Sequence, residues 1–184
     1  MAVNKNFVVK NGLEVNENLI VANATDGLQI ALMAGGVKYG DEVIFSSHTM
    51  VATASSIKFA GGVPVPVESG SDHLICPDSI RESITKRTVA IVPTQLNGRT
   101  SNMDDIASIA EEYGLDIYED AAQALGSKYK DDHVGTLGDI GCLSFYPDKA
   151  ITIGEGGLLL TKSEHYHKEL LMMKNDGRNE RLSL

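Results

Sequence analysis

The stretch from residue 101 to residue 120, "SNMDDIASIAEEYGLDIYED", holds a helix pattern followed by a strand pattern. Ser101 and Asp104, three positions apart, match a helix capping box. The closing run "GLDIYED" predicts a strand that ends in acids. Four residues at helical spacing form the apolar face of the predicted helix: Ile106, Ile109, Ala110 and Tyr113.

The same alternation of helix and strand patterns continues on both sides of this unit. Upstream, the pattern predicts helices in "TDGLQIALMAGG", "MVATASSIKFAGG" and "PDSIRESITK", and strands in "DEVIFS", "VPVPV" and "TVAIVP". Downstream, it predicts strands in "DIGCLSFY" and "GGLLLT" and a closing helix in "SEHYHKELLMMKND". This order predicts an α/β fold with a mostly parallel sheet covered on both faces. Ligands bind such sheets at the carboxyl ends of the strands, so we expect Asp120 at the mouth of a site.

The first twenty-two residues break this rhythm. The run "FVVKNGLEV" alternates around Asn-Gly, which is a strong signal for a β-hairpin. We therefore predict a hairpin-like appendage over residues 1–22 and one large domain over residues 23–184.

The composition excludes several classes of function. A formal net charge of −9 on 184 residues argues against nucleic acid or an anionic membrane as the main partner. Cys76 and Cys142 lie far apart with no CxxC spacing, so we expect no metal site and no redox site. No signal peptide and no membrane-spanning apolar run is evident in the sequence, so we expect a cytoplasmic protein.

Several residues suit one flat, phosphorylated ligand. Thr25 and Asp26 open the first predicted helix, where N–H groups and the helix dipole favour a phosphate. Asp120 ends a strand, and the small residues of "AAQA" after it would let a flat ring approach the backbone. Gln123 follows within the same turn.

A lysine completes this set. In "CLSFYPDKAITIGEGG", residues 142–157, Ser144 precedes Lys149, and a glycine cluster follows. A lysine amine forms an imine with an aldehyde, and an acid keeps a pyridine nitrogen protonated. A phosphate seat, an acid, a flat floor and a lysine are together what pyridoxal phosphate requires.

Plainer interpretations stay open for some of these residues. Asp120 could cap a helix that begins in "EDAAQA". Gln123 could be a surface amide, and Ser144 could satisfy a strand edge. We interpret His48 as structural.

Three separated stretches resemble one family. They are "GDEVIFSSHTMVATASSIKFAGGVPVPVE", "GLDIYEDAAQALGSKYKDDHVGTLGDIGCLSFYPDK" and "GEGGLLLT". They are similar to the DegT/DnrJ/EryC1/StrS sugar aminotransferases, fold-type-I pyridoxal-phosphate enzymes that aminate nucleotide-linked keto-sugars. The resemblance runs from about residue 19 to the last residue. It implies the three-layer αβα large domain of that class, with the family's small C-terminal domain expected to be absent.

The resemblance also implies catalytic roles. Lys149 would form the internal aldimine and later move the proton between Cα and C4′. Asp120 would pair with the pyridine nitrogen. Gln123 would hydrogen-bond the ring hydroxyl, and Ala122 would lie against the ring face.

The remaining cofactor contacts come from the same resemblance. Ser144, Thr25 and Asp26 would hold the phosphate through hydroxyl and backbone donors. Met50 stands where the family usually has an aromatic residue stacked on the cofactor, and a thioether also packs on a ring.

The function implied is transfer of an amino group, from an amino acid such as glutamate, to a nucleotide-linked keto-sugar by a homodimer or higher oligomer. The alternative is a catalytically silent truncated or fused fragment, with phage association as one option, that retains only the fold. It arises because "MAVNKNFVVKNGLEVNENL" resembles a repeat from phage tail-fibre proteins.

Overall fold

A computed structural model describes residues 19–174 together with the backbone of residues 7–9 and 13–15. Among these residues, no helix combines the length and the apolar character needed to cross a bilayer.

The elements alternate along the chain much as the sequence predicts. The strands are β1 (Phe7–Val9), β2 (Leu13–Val15), β3 (Ile20–Val21), β4 (Glu42–Ser46), β5 (Val63–Val67), β6 (Thr88–Val92), β7 (Asp116–Asp120), β8 (Lys128–Tyr129), β9 (Asp132–His133), β10 (Ile140–Ser144) and β11 (Gly157–Leu160). The helices are α1 (Ala24–Ala34), α2 (Val51–Phe59), α3 (Pro77–Ser83), α4 (Met103–Tyr113) and α5 (Glu164–Lys174), with a short 3₁₀ turn at Leu96–Gly98.

Seven strands form the central sheet in the order β3-β11-β10-β7-β6-β4-β5. The five strands from β10 to β5 are parallel to one another, whereas β11 and β3 run antiparallel to their neighbours. Strand β5 contains two prolines, and it lies at the edge of the sheet, where a missing N–H removes no ladder bond on the outer side. The predicted mostly parallel sheet is confirmed.

Helices cover both faces of this sheet. Successive residues of β4 point to opposite sides: Val43 and Phe45 pack with α1, α2 and α5, whereas Ile44 packs with α3 and α4. Each face therefore has its own apolar core, and the molecule has the three layers expected of an αβα domain.

Two helix starts illustrate the local chemistry. Asn23 caps α1, because its side-chain oxygen accepts from the Asp26 N–H at 2.9 Å. The cap of α4 is Asn102, whose side-chain oxygen faces the Asp105 N–H at 3.4 Å. The predicted capping box at Ser101 is therefore wrong. That serine is buried one residue before the cap, and its hydroxyl has no hydrogen-bond partner among the described residues.

The N-terminal segment contains an antiparallel pair, as the Asn-Gly pattern suggests. Strand β1 pairs with β2, with Val9 opposite Leu13, and the turn between them lies outside the described residues. Strand β3 pairs with β11, so the central sheet begins before residue 23. The division of the chain into an appendage and a large domain stays a prediction.

Candidate functional site

A cleft of about 1000 Å³ opens at the carboxyl ends of the central strands. Strands β7 and β10 are parallel neighbours, and their last residues, Asp120 and Ser144, both line it. The first turns of α1 and α2 form another part of the wall. The cleft brings together all eight predicted site residues: Thr25, Asp26, Met50, Asp120, Ala122, Gln123, Ser144 and Lys149.

Asp120 is the buried acid of the cleft, with 8% of its surface exposed. One carboxylate oxygen accepts from the Thr53 hydroxyl at 2.6 Å, and the other accepts from the Ala122 N–H at 3.2 Å. Burial raises the pKa of this carboxyl, while Thr53, Ala122 and the charge of Lys149 act in the opposite direction. Residues 121–126 are turns and coil, so the alternative that Asp120 merely caps a helix is wrong.

Lys149 enters the cleft from the loop after β10. Its N–H donates to the Tyr146 carbonyl at 3.0 Å, and its amine lies 3.1 Å from the Asp148 carboxylate. The side chain is 21% exposed, so the amine is sheltered yet reachable from the cleft. Lys149 and Asp120 line the same cleft, and the charge of the lysine acts to lower the pKa of the acid.

The glycine cluster after Lys149 has a packing role. A Cβ on Gly157 would lie 2.7 Å from the backbone carbonyl carbon of Asn23, at the start of α1. Only glycine therefore lets β11 pass this close to the helix start.

The first turn of α1 and the end of β10 supply donors for an anion. Thr25 lies at the second helical position, where a backbone N–H has no acceptor within the helix. Asp26 differs, because Asn23 already uses its N–H and its carboxylate. Ser144 is buried and accepts from the Tyr146 N–H at 3.3 Å, which leaves its own hydroxyl proton for donation.

The remaining predicted residues border the same space. Gln123 accepts from the Asn97 N–H at 3.3 Å through its amide oxygen, so its NH₂ group is the end left to donate. Ala122 is half-buried, and Met50 is exposed at the start of α2.

Two polar residues next to Asp120, Thr53 in space and Glu119 in sequence, were missed by sequence reasoning. Thr53 is fully buried, although nothing in "MVATASSI" distinguishes it from the serines around it. Glu119 is also fully buried, and four donors surround its carboxylate: the side chain of Gln95 and the backbone N–H groups of Gly135, Leu137 and Gly138. The alternation of side chains along a strand is the one signal that separates Glu119 from Asp120.

The fold and the cleft define a class of protein: a parallel α/β protein whose strand-end cleft suits a small, flat ligand carrying an anionic group. A sheltered amine, a buried carboxylate, a free hydroxyl and a helix start provide that chemistry. Residues 7–183 match the DegT/DnrJ/EryC1/StrS aminotransferase family, and the chain belongs to that family.

Individual relatives agree with this assignment. The chain is 39% identical over 158 residues to GDP-perosamine synthase of Escherichia coli O157:H7. The aligned stretch covers 85% of this chain and 43% of that protein. The structure of DesV from S. venezuelae in complex with a ketimine intermediate has a TM-score of 0.85 and 37% identity, over 89% of this chain and 45% of that one. NtdA from Bacillus subtilis, with the bound cofactor PMP, has a TM-score of 0.77 and 35% identity, over 83% of this chain and 35% of that one. The chain thus spans less than half the length of each relative.

Proposed function

We propose that this chain forms the cofactor-binding part of a cytoplasmic, pyridoxal-phosphate-dependent aminotransferase. The acceptor would be a nucleotide-linked keto-sugar, and the donor an amino acid such as glutamate. Family membership supports the reaction class, and the similarity to GDP-perosamine synthase supports the acceptor.

One observation carries the proposal: Lys149 and the buried Asp120 line the same strand-end cleft. Both reach it from the carboxyl ends of neighbouring strands, because β7 and β10 pair in parallel. An amine and an acid in a shared cleft can serve opposite ends of one flat ligand.

Bound pyridoxal phosphate supplies an aldehyde that exchanges between amines and a ring that accepts electrons. Asp120 would hold a proton on the ring nitrogen through a charge-assisted hydrogen bond. Its two donors, Thr53 and the Ala122 N–H, fix both oxygens, and this leaves further acceptor positions on the carboxylate.

Lys149 would carry the cofactor before the donor arrives and would then move the proton at the substrate carbon. Two contacts hold Lys149 at the cleft. Its backbone N–H donates to the Tyr146 carbonyl, and its side-chain amine contacts the Asp148 carboxylate.

The other residues would orient the ligand. The Ser144 hydroxyl and the Thr25 N–H in the first turn of α1 would bind the phosphate, while Asp26, whose N–H and carboxylate Asn23 already engages, would only border it. The Gln123 NH₂ group would donate to the ring oxygen, and Ala122 and Met50 would border the ring.

The proposed enzyme is a homodimer or higher oligomer. Large apolar side chains are exposed at and along α2 and in the loop around Lys149: Met50, Val51, Phe59, Tyr146, Ile151 and Ile153. Exposed apolar patches mark interaction sites on soluble proteins, so these side chains support association of the chain. Sedimentation velocity, with and without cofactor, would test this, and a monomer that binds pyridoxal phosphate tightly would contradict it.

The direct test of function compares the protein with Lys149→Ala. We expect the protein mixed with pyridoxal phosphate to gain a visible absorbance band, and borohydride to fix the cofactor to the peptide that contains Lys149. The variant should show neither, and Lys162→Ala, in a loop away from the cleft, should behave as the unchanged protein. Addition of glutamate should then bleach the band.

Other outcomes would contradict the proposal. A covalent adduct in Lys149→Ala would remove the role of this lysine. A protein that stays colourless with added cofactor would favour the silent, phage-associated alternative.

A further inference from the structure

Thr53 supports Asp120 from inside the protein. It lies on α2, is fully buried, and donates its hydroxyl proton to Asp120 at 2.6 Å, across 67 positions in the sequence. A hydroxyl that donates to a carboxylate stabilises the ionised acid over the protonated one.

The support extends through two more threonines. The Thr49 and Thr53 hydroxyl oxygens lie 2.8 Å apart, and the Thr94 hydroxyl donates to Thr49 at 3.0 Å. A hydroxyl has one proton to give. Because Thr53 gives its proton to Asp120, Thr49 must donate to Thr53. Thr94, Thr49 and Thr53, which we call the threonine chain, therefore all donate in the direction of the acid.

The far end of the threonine chain is anchored. Thr94 is 2% exposed, and its N–H donates to the Ser46 hydroxyl at 3.0 Å. Ser46 ends β4 and Thr94 follows β6. The threonine chain therefore joins the ends of these two strands to the start of α2 and to β7. Such a linked set fixes the carboxylate in one orientation.

We propose that Thr53, with the threonine chain behind it, is a positioning residue that keeps Asp120 ionised and aimed into the cleft. The inference rests on the proposed function, because an ionised Asp120 is what would hold a proton on the ring nitrogen of the cofactor. Apart from the threonine chain, the charge of Lys149 acts on this acid from the cleft, and the charge of Asp120 in turn raises the pKa of the buried Cys142 thiol on β10.

A titration of Asp120 in the protein without cofactor tests this directly. The carboxyl carbons of aspartate would be labelled with ¹³C, and Asp120→Asn would assign the signal. We expect Thr53→Val to move the midpoint of Asp120 to higher pH, because a donor to the anion is lost. Thr53→Ser keeps the hydroxyl, so the titration midpoint of Asp120 in this variant should match that of the unchanged protein. Ser55→Ala, on the same helix but outside the threonine chain, should leave it unchanged.

Affinity for pyridoxal phosphate gives a second readout. We expect Thr53→Val to weaken binding by about tenfold or more, since a hydrogen bond to a charged group is removed. Thr53→Ser should bind as the unchanged protein does. If Thr53→Val does not fold, as judged by circular dichroism, Thr53→Ala lacks the same hydroxyl and takes its place.

The outcomes separate the two proposals. A midpoint that is unchanged by loss of the hydroxyl, or equal in the valine and serine variants, overturns the role of Thr53. Failure of the unchanged protein to bind pyridoxal phosphate would overturn the proposed function, while the titration would still decide what Thr53 does to Asp120.

Discussion

Glu119 and Asp120 are adjacent acids at the end of one strand, and both are buried, yet their surroundings differ. Glu119 accepts four hydrogen bonds, two at each oxygen, from Gln95 and from the loop at residues 135–138. Asp120 accepts two, one at each oxygen. A carboxylate offers about four acceptor positions. Glu119 is therefore saturated by its own protein, whereas Asp120 faces a cleft with acceptor positions to spare.

This difference separates a structural acid from an acid available to a ligand. Glu119 ties the loop at residues 135–138 to the sheet, because its two side-chain oxygens accept from three backbone N–H groups of that loop. Asp120 is held in place by two donors, and its remaining acceptor positions are free for a ligand. Burial, shared by both, does not distinguish them; the number of internal donors does.

The largest expected effect on folding stability is at Glu119. In Glu119→Gln the amide NH₂ faces N–H donors, and each buried donor left unpaired costs about 1–3 kcal/mol. We expect a loss of at least about 2 kcal/mol in the free energy of unfolding, measured by urea denaturation. Glu111→Gln, on the exposed side of α4, is the matched control and should change stability little. Equal stability of the two variants would refute the structural role of Glu119.

The next effect concerns the chemistry of Asp120. Asp120→Asn should weaken binding of pyridoxal phosphate by roughly 1.5–3 kcal/mol, the usual contribution of a hydrogen bond to a charged group. It should slow proton abstraction from glutamate far more, because the ring loses the group that keeps its nitrogen protonated. Cofactor titration and single-turnover absorbance would measure the two losses. Equal losses in binding and in chemistry would contradict this role.

A smaller effect, of opposite sign to that at Glu119, is expected on stability. Burial raises the pKa of Asp120 above its ordinary value of 3.8, so the folded protein binds its proton more tightly than the unfolded chain. The group therefore contributes stability at low pH that is lost as pH rises through the folded-state pKa. Without cofactor at pH 7, Asp120→Asn should therefore be more stable than the unchanged protein.

Denaturation over a pH series checks that sign. The advantage of the asparagine variant should shrink as the pH falls toward the range where aspartates are protonated. An advantage that stays constant with pH would show that the ionisation of Asp120 is not its cause.

The smallest expected effect on stability concerns the start of α4, where the number of hydrogen-bond partners again distinguishes two neighbouring side chains. Asn102→Ala should destabilise the protein by about 1 kcal/mol, because α4 loses its cap. Ser101→Ala should have a smaller effect, since the described structure gives that hydroxyl no partner to lose. Thermal unfolding of the two variants would separate the observed cap from the predicted one.

Much of the fold was predictable from the sequence, because each element is encoded by consecutive residues. The strand in "GLDIYED" and the helix before it follow from local apolar spacing, and the parallel sheet follows from their alternation. The cap of α4 was misplaced by one residue. Serine and asparagine cap helices about equally well, so only the backbone geometry chooses between Ser101 and Asn102.

For the candidate site, too, part could be predicted from the sequence and part could not. By itself the sequence determined the residue types at the strand ends, among them Asp120, Ser144 and the lysine that follows. Only the tertiary structure decided which groups meet them. Thr53 reaches Asp120 across 67 positions because α2 follows β4, which lies two strands from β7 in the sheet. Side-chain partners set by strand order leave no periodic pattern in the chain, so the saturation of Glu119 and the threonine chain behind Asp120 became visible only in three dimensions.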